Sequence, residues 1–366
     1  MNNIVDTSFN AFYKKKVLVT GHTGFKGSWL CTWLNLLGAE VCGVALDPVT
    51  NPSHYLELNL EDIEDNRFDI NNKKSLEKVI YEFSPDFIFH LAAQPLVRQS
   101  YVDPYETWMV NLMGTVTLLE VIKNYPKRCN VVFITSDKCY KNVEWIWGYR
   151  EIDALGGDDP YSASKGAAEI AINSYLESFF KGSDLIKIAS ARAGNVIGGG
   201  DWSLDRIVPD CARAWSSFQP VNLRNPASTR PWQHVLEPLS GYLKLALHLD
   251  ALPEGEQGSP FNFGPIQGEV HSVSSLVEQL SNNWPNSNYI VDSIDVDQPK
   301  ESNLLQLSCE KANVKLKWKP VLTFEETCSM TSSWYYDFYQ QKQPAIALTV
   351  SNIKIYSELA SNRGCF

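Results

Sequence analysis

The stretch Val17-Leu18-Val19-Thr20-Gly21-His22-Thr23-Gly24-Phe25-Lys26-Gly27-Ser28-Trp29-Leu30 decides the fold. Its first four residues are a short, mostly β-branched run. Three glycines then follow in a G-x-x-G-x-x-G spacing, and an apolar helical pattern runs from Ser28 to Leu37, where Gly38 closes it. Strand, glycine loop and helix in that order open a dinucleotide-binding βαβ unit. Gly21 permits the tight turn, Gly24 lets the backbone approach a pyrophosphate, and Gly27 lets the helix pack close to the strand. The helix N-terminus offers N–H groups and a positive dipole end to the phosphates. Gly21, Thr23, Gly24, Phe25, Lys26 and Gly27 are therefore the expected cofactor cradle. A glycine turn without a ligand would look the same locally, and the opening spacing differs from the usual G-x-G; the flanking strand and helix carry the reading.

Downstream, Val41 to Leu46 reads as a second strand ending at Asp47, twenty residues beyond Gly27. A carboxylate there accepts hydrogen bonds from the adenosine ribose and repels a 2′-phosphate, which favours NAD over NADP; a surface Asp-Pro turn is the other reading. Asp69 and Ile70 follow a short strand and can meet the adenine edge. Phe87 to His90 is an apolar strand running into Leu91, Ala92 and Ala93, where small residues leave room for a cofactor lying across the strand ends. His90, among apolar neighbours, reads as structural. Helical patterns at Ser75–Phe83 and Asn111–Lys123 alternate with strand patterns at Asn130–Thr135 and Leu185–Ala191. The expected fold is α/β, a Rossmann-like doubly wound parallel sheet with ligands at the carboxyl ends of its strands. A smaller, loop-rich C-terminal lobe follows it, with helical stretches at Glu237–Leu249, Ser274–Asn282 and Leu322–Tyr339.

Composition excludes several classes. Hydrophobic residues at 44% and charged residues at 20% of 366 are ordinary for a globular chain. A net charge of −10 argues against nucleic acid or anionic membrane as a partner. The eight cysteines show no C-x-x-C spacing, so no metal site is expected and the thiols read as reduced. The first twelve residues are polar, unlike a signal peptide, and no apolar run is long enough to span a bilayer. The expected location is cytoplasmic.

The chemistry is carried by Asp159-Pro160-Tyr161-Ser162-Ala163-Ser164-Lys165 and by Ser136-Asp137-Lys138. Tyr161 and Lys165 are four residues apart, one turn of helix on one face. An ammonium beside a phenol favours the phenolate, so Lys165 is expected to lower the Tyr161 pKa and fit it to take a proton from an alcohol. Ser136, Asp137 and Lys138 lie at a strand end. Arg206, Arg224 and Arg230, with His234 just beyond, sit in the loops of the second half.

Taken together, G-x-x-G-x-x-G, His-Leu-Ala-Ala at 90–93, Ser-Asp-Lys at 136–138, Tyr-x-x-x-Lys at 161–165 and Arg-x-x-Asn at 192–195 resemble the extended short-chain dehydrogenase/reductase family. The narrower likeness is to its dehydratases of CDP-D-glucose, through 21–30, Ser136-Asp137-Lys138-Cys139-Tyr140, Trp147-Gly148-Tyr149-Arg150-Glu151 and Arg230 to Leu239; it spans Lys16 to Tyr336. The resemblance implies a sugar-nucleotide substrate whose C4 hydride passes to NAD, whose C6 hydroxyl leaves as water after loss of the C5 proton, and whose hydride returns to C6. It implies Tyr161 as the O4 base, Lys165 as its partner and holder of the nicotinamide ribose, Ser136 on O4, and Asp137, if burial raises its pKa, as acid at C6. Lys138 stands where the dTDP-glucose enzymes carry a glutamate; it is either the C5 base or a charge partner of Asp137. Arg230 and Asn195 match phosphate contacts, with Arg206 and His234 as further substrate candidates. The implied division is 14–195 for NAD, 196–345 mainly for the sugar nucleotide with segments returning to the first unit, and 346–366 as a tail. Family members are commonly dimers through helices matching 111–123 and 166–180, so a homodimer is expected. A 4-epimerase shares fold, cofactor, Tyr161 and Lys165 but needs no C6 acid. A dTDP-, GDP- or UDP-hexose dehydratase and a non-catalytic NAD-binding scaffold are the other readings.

Overall fold

The computed structural model describes residues 7–252, 258–266, 268–291 and 304–365. In chain order the strands are β1 (Lys16–Thr20), β2 (Glu40–Ala45), β3 (Ile63–Arg67), β4 (Phe87–His90), β5 (Cys129–Ile134) and β6 (Ile186–Ala193). Short strands follow: β7 (Val196–Ile197), β8 (Val221–Leu223), β9 (Thr229–Arg230), β10 (Gln233–His234), β11 (Phe261–Phe263), β12 (His271–Ser272) and β13 (Tyr289–Val291). Seven of these form one sheet in the order β11-β6-β5-β4-β1-β2-β3. Every neighbouring pair in it is parallel. The chain winds outward in one direction from β1 to β3, then returns to the other side of β1 with β4. That reversal opens a crevice at the carboxyl ends of β1 and β4, where ligands of such sheets bind.

The sheet is apolar on both faces because helices cover both. Alternation along each strand sorts the side chains: Val17, Val19, Phe87, Phe89, Val132 and Ile134 face one core. Leu18, Ile88, Val131 and Phe133 face the other. The second face is covered by α3 (Lys73–Phe83), α6 (Gly114–Ile122) and α7 (Pro160–Tyr175). The first is covered by α1 (Phe25–Leu36), α9 (Leu236–His248), α12 (Phe324–Tyr339) and α13 (Ala345–Asn362). The remaining helices are α2 (His54–Leu58), α4 (Val97–Val102), α5 (Pro104–Trp108), α8 (Ile207–Ser216), α10 (Val273–Ser281) and α11 (Glu310–Leu316).

The alternation read from the sequence holds within one or two residues at most element ends. Two differences stand out. Residues 346–366, expected as a tail, are mostly α13, whose Tyr356 is wholly buried against Trp33 at 5.7 Å. Its Thr349 meets the His54 ring at 3.0 Å. Helices α4 and α5 occupy 97–108, where no helix was expected. Within the second half, expected to be loop-rich, β11 forms a strand of the main sheet; residues 253–257 there lie outside the described residues, as do Met1 to Asp6.

Candidate active site

Local chemistry places the key helix. Asp159 caps α7: its carboxylate accepts from the Ser162 N–H at 2.9 Å and the Ser162 hydroxyl at 2.5 Å. Pro160 fills the first turn, where its missing N–H costs nothing. The helix therefore starts at a fixed point, and Tyr161 and Lys165 fall on its buried face, 8% and 5% exposed. Opposite, Ser136 stands two residues past β5 and caps the short turn Asp137–Cys139, accepting from the Lys138 N–H at 3.2 Å and donating to Asp137 at 2.9 Å. The end of β6 comes in so closely that a Cβ on Gly194 would lie 2.9 Å from the Asp137 carboxylate.

Electrostatics couple these groups. Burial raises the Asp137 pKa, against the nearby Lys138, the Ser136 hydrogen bond and Lys26. The Tyr161 phenol is pushed up to about 12 by burial; a hydrogen bond with Ser136 and the Arg206 charge work the other way. The expected lowering of the Tyr161 pKa by Lys165 is thus not what this structure produces. Taking both groups out of water dominates, and Lys165 is itself lowered to about 8 by burial, with Glu169 one turn further on resisting. Among the described residues none hydrogen-bonds the Lys165 ammonium. Lys26, half-buried, also falls to about 8 through burial, held up by Asp137 and pressed down by Arg206 and Lys165. Glu169 is fixed beneath by Arg192 and Ser190, each at 2.8 Å, and by Thr135.

A narrow cleft is lined by Asp137, Lys138, Asn195, Arg230, Pro231 and Leu305. Four of the expected residues therefore meet there. Arg206 is half-buried, pairs with Asp201 at 2.8 Å and reaches electrostatically to Tyr161, so it is no isolated surface arginine. His234 is wholly buried, edge-on to Trp29 at 5.8 Å, its Nδ1 accepting from the Leu236 N–H at 3.3 Å. His90 lies between Thr20 at 2.8 Å and Thr115, a bonded structural histidine. Trp232 donates to the His271 carbonyl and Tyr149 stacks on Tyr140, so both are packing groups. Arg224 pairs with Asp205 at 3.2 Å. A larger groove of about 570 Å³, between α8 and β8, holds none of the proton-handling groups, and its Arg213 is engaged by Asp210.

The residues expected around a dinucleotide fit one. A Cβ on Gly21, whose φ is +73°, would lie 2.7 Å from the Ala92 nitrogen, and one on Gly27 would lie 2.2 Å from the Gly21 carbonyl. Gly24 is exposed, and α1 begins there with no side-chain cap, leaving its first-turn N–H groups to a ligand. Thr23 donates to the Leu46 carbonyl at 3.0 Å, tying the loop to the end of β2. Phe25 is partly buried in the first core, and Leu91, Ala92 and Ala93 leave the end of β4, only partly covered. Asp47 is 91% exposed just past β2, with Arg67 at 3.6 Å. Exposed Asp69 accepts from the Asn71 N–H at 2.8 Å, while buried Ile70 packs beside Gly114. All eight cysteines are free, and no metal cluster occurs among the described residues.

Two groups escaped the sequence reading. Leu305 reaches the cleft from far along the chain, held by the Tyr149–Leu307 bridge, and no local pattern marks it. Asn111 joins Gln94 to Ser164 at 2.9 Å from inside a π-helical turn, Met109–Met113. Reading that stretch as plain helix hid the irregularity, which often marks a functional position.

Comparison with known proteins places this arrangement. The profile of the GDP-mannose 4,6 dehydratase family matches residues 18–331. The chain is 46% identical over 333 residues to CDP-glucose 4,6-dehydratase of Salmonella typhimurium, covering 89% of this chain and 92% of that one. It is 26% identical to dTDP-glucose 4,6-dehydratase of Haemophilus influenzae, over 87% and 97% of the two chains. Among solved structures, UDP-glucose 4-epimerase of Thermus thermophilus in complex with NAD superimposes with a TM-score of 0.72 at 26% identity, covering 87% and 98%. The dTDP-glucose 4,6-dehydratase of Bacillus anthracis, in complex with NAD, shares the fold at a TM-score of 0.70 and 22% identity, covering 89% and 98%.

Proposed function

We infer the reaction from one premise: the chain belongs to the GDP-mannose 4,6 dehydratase family, within the extended short-chain dehydrogenases/reductases. It is a hydro-lyase that converts CDP-D-glucose to CDP-4-dehydro-6-deoxy-D-glucose with NAD as an internally recycled cofactor. The observation that carries this reading is the meeting of two proton-handling groups, Tyr161 and Asp137, within electrostatic reach of each other beside a cleft that Asn195 and Arg230 also line. An epimerase needs only the first.

The chemistry supplied by bound NAD would be hydride acceptance from C4 and hydride return to C6. Gly21, Thr23, Gly24, Phe25, Lys26 and Gly27 would hold its pyrophosphate, Asp47 its adenosine ribose, and Asp69 and Ile70 its adenine edge. Leu91, Ala92 and Ala93 would leave it room, and Lys165 would hold the nicotinamide ribose. Tyr161 accepts the O4 proton while Ser136 bonds O4 as charge develops there. A phenol at about 12 is a reluctant base at neutral pH, so its anion needs the Ser136 hydrogen bond and the Arg206 charge, with Lys165 one turn along the same helix. Asp137, its neutral form favoured by burial, gives its proton to the departing C6 hydroxyl. Lys138 shares that cleft; it tempers the Asp137 carboxyl and is the candidate to accept the C5 proton. Arg230 and Asn195 hold the substrate phosphates, Arg230 through its forked donors. Arg206 supports that side from its pair with Asp201, whereas His234, expected there, is wholly buried against Trp29 and does not line the cleft.

In this reading residues 14–195 serve the cofactor and 196–345 mainly the sugar nucleotide, with β11 returning to pair with β6. The protein works as a cytoplasmic homodimer. Exposed Tyr105, Met113, Ile170 and Phe179 on α5, the adjoining π turn, α7 and the π turn that ends it support such a contact. No helix among the described residues is long and apolar enough to cross a membrane.

The test is to incubate the protein with CDP-glucose and NAD and then add alkali. A near-ultraviolet band from the enolising 4-ketone is expected, with dTDP-, GDP- and UDP-hexoses giving far less. A 4-epimer and no band would overturn the reading.

A further inference from the structure

Around the Asp137 carboxyl lies one buried polar group that the reaction as described does not use. That carboxyl is surrounded by Ser136, Lys138 and Cys139 of its own turn, Lys26 of α1, Tyr161 of α7, and Asn195 and Arg230 across the cleft. From α9 comes one further group, Tyr242. Its side chain is wholly buried, its ring edge-on to Phe263 at 5.8 Å. Its hydroxyl has no hydrogen-bond partner among the described residues. A buried, unbonded hydroxyl destabilises the folded chain, and phenylalanine would fill the same space without that cost. Helix α9 packs against β5 and β6, whose ends carry Ser136, Asp137 and Gly194. Tyr242 lies close enough to Asp137 and Tyr161 that their negative charge adds to burial in raising its pKa.

We propose that Tyr242 is a positioning residue for the elimination step: its O–H is the donor that meets the Asp137 carboxylate formed when the C6 hydroxyl departs. This rests on Asp137 being the C6 acid. In that step the electron pair left behind by the departing C5 proton forms the C5=C6 bond as the C6–O bond breaks. The C6–O pair leaves with the oxygen, the Asp137 proton completes the leaving water, and the electron pair of the Asp137 O–H bond stays on the carboxylate. Tyr242 keeps its own proton and shares it, directly or through one water. A charge created away from solvent needs donors already in place; the Ser136 hydroxyl at 2.9 Å and the Lys138 backbone N–H supply them from its own turn, and Tyr242 adds one from α9. The resting structure leaves the Tyr242 hydroxyl idle, which suits a group whose partner exists only after proton transfer.

The experiment compares the full-length protein with Tyr242→Phe and Asp137→Asn, using CDP-glucose and NAD. For Tyr242→Phe, kcat should fall about tenfold with KM unchanged, the scale of one charge-assisted hydrogen bond. Asp137 acts in its protonated form, so activity declines as pH rises through its pKa. A donor to the carboxylate lowers that pKa, so its loss should move the alkaline limb of kcat to higher pH. Because the hydroxyl bonds nothing at rest, Tm should hold or rise. Wild-type kcat and pH limb in Tyr242→Phe, a KM effect alone, or a Tm lower by several degrees would each overturn the proposal. Stalled elimination in Asp137→Asn beside a normal Tyr242→Phe removes only this inference. Normal turnover by Asp137→Asn removes the acid assignment and the inference with it.

Discussion

A tyrosine and a lysine four residues apart invite a simple electrostatic account, and the structure changes it. Both groups leave water when α7 packs, so burial moves each toward its neutral form, Tyr161 up to about 12 and Lys165 down to about 8. Attraction between opposite charges cannot compensate until Tyr161 has lost its proton. Tyr161→Phe should lower kcat by on the order of 10²–10⁴-fold, the usual contribution of a positioned base, while leaving NAD binding nearly intact by fluorescence titration. A variant with wild-type turnover would remove the residue from the chemistry. Spacing together with the family resemblance picked out Tyr161, Lys165, Ser136 and Asp137, and each is positioned by a cap or strand end close in sequence. The direction of the Tyr161 shift was not legible, since it depends on how much of the C-terminal half covers the site.

Among the elements, α1 and α7 could be read because their start signals are local: glycines at 21, 24 and 27 for one, Asp159-Pro160 for the other. Helix α13 could not. Its mixed pattern needs a partner surface, and that surface is assembled from Trp33 on α1 and Glu237 on α9. Glu237 accepts from the Val321 and Leu322 N–H groups at 2.9 and 2.7 Å and from the Tyr356 hydroxyl at 2.8 Å. Burial nevertheless raises its pKa from 4.5 to about 7. The folded chain therefore holds this proton more tightly than the unfolded one. The resulting stability is full below pH 4.5 and is lost as pH rises through 7, about 3 kcal/mol by linkage. Thermal midpoints of the wild type should consequently fall more between pH 5 and pH 8 than those of Glu237→Gln. Parallel curves for the two proteins would show that this carboxyl does not titrate in that range.

Across the whole molecule, the parallel sheet gathers the ends of β1, β4, β5 and β6 on one edge, and the second half closes over that edge. Strand and helix alternation over 17–191 foresaw the sheet from β1 to β6, but not β11, which adds to its edge from the half read as loop-rich. The cleft was foreseen only on its Rossmann side and at Asn195 and Arg230, because Leu305 arrives through tertiary packing that no short pattern encodes. What the assembled site claims is a closed redox cycle, in which one hydride leaves and re-enters the same sugar. The most direct measurement uses CDP-glucose carrying deuterium at C4, with the product read by NMR and mass spectrometry. The account predicts a 4-keto product with the deuterium in its C6 methyl group. Deuterium retained at C4 of an epimer, or absent from the methyl group of the keto product, would contradict it.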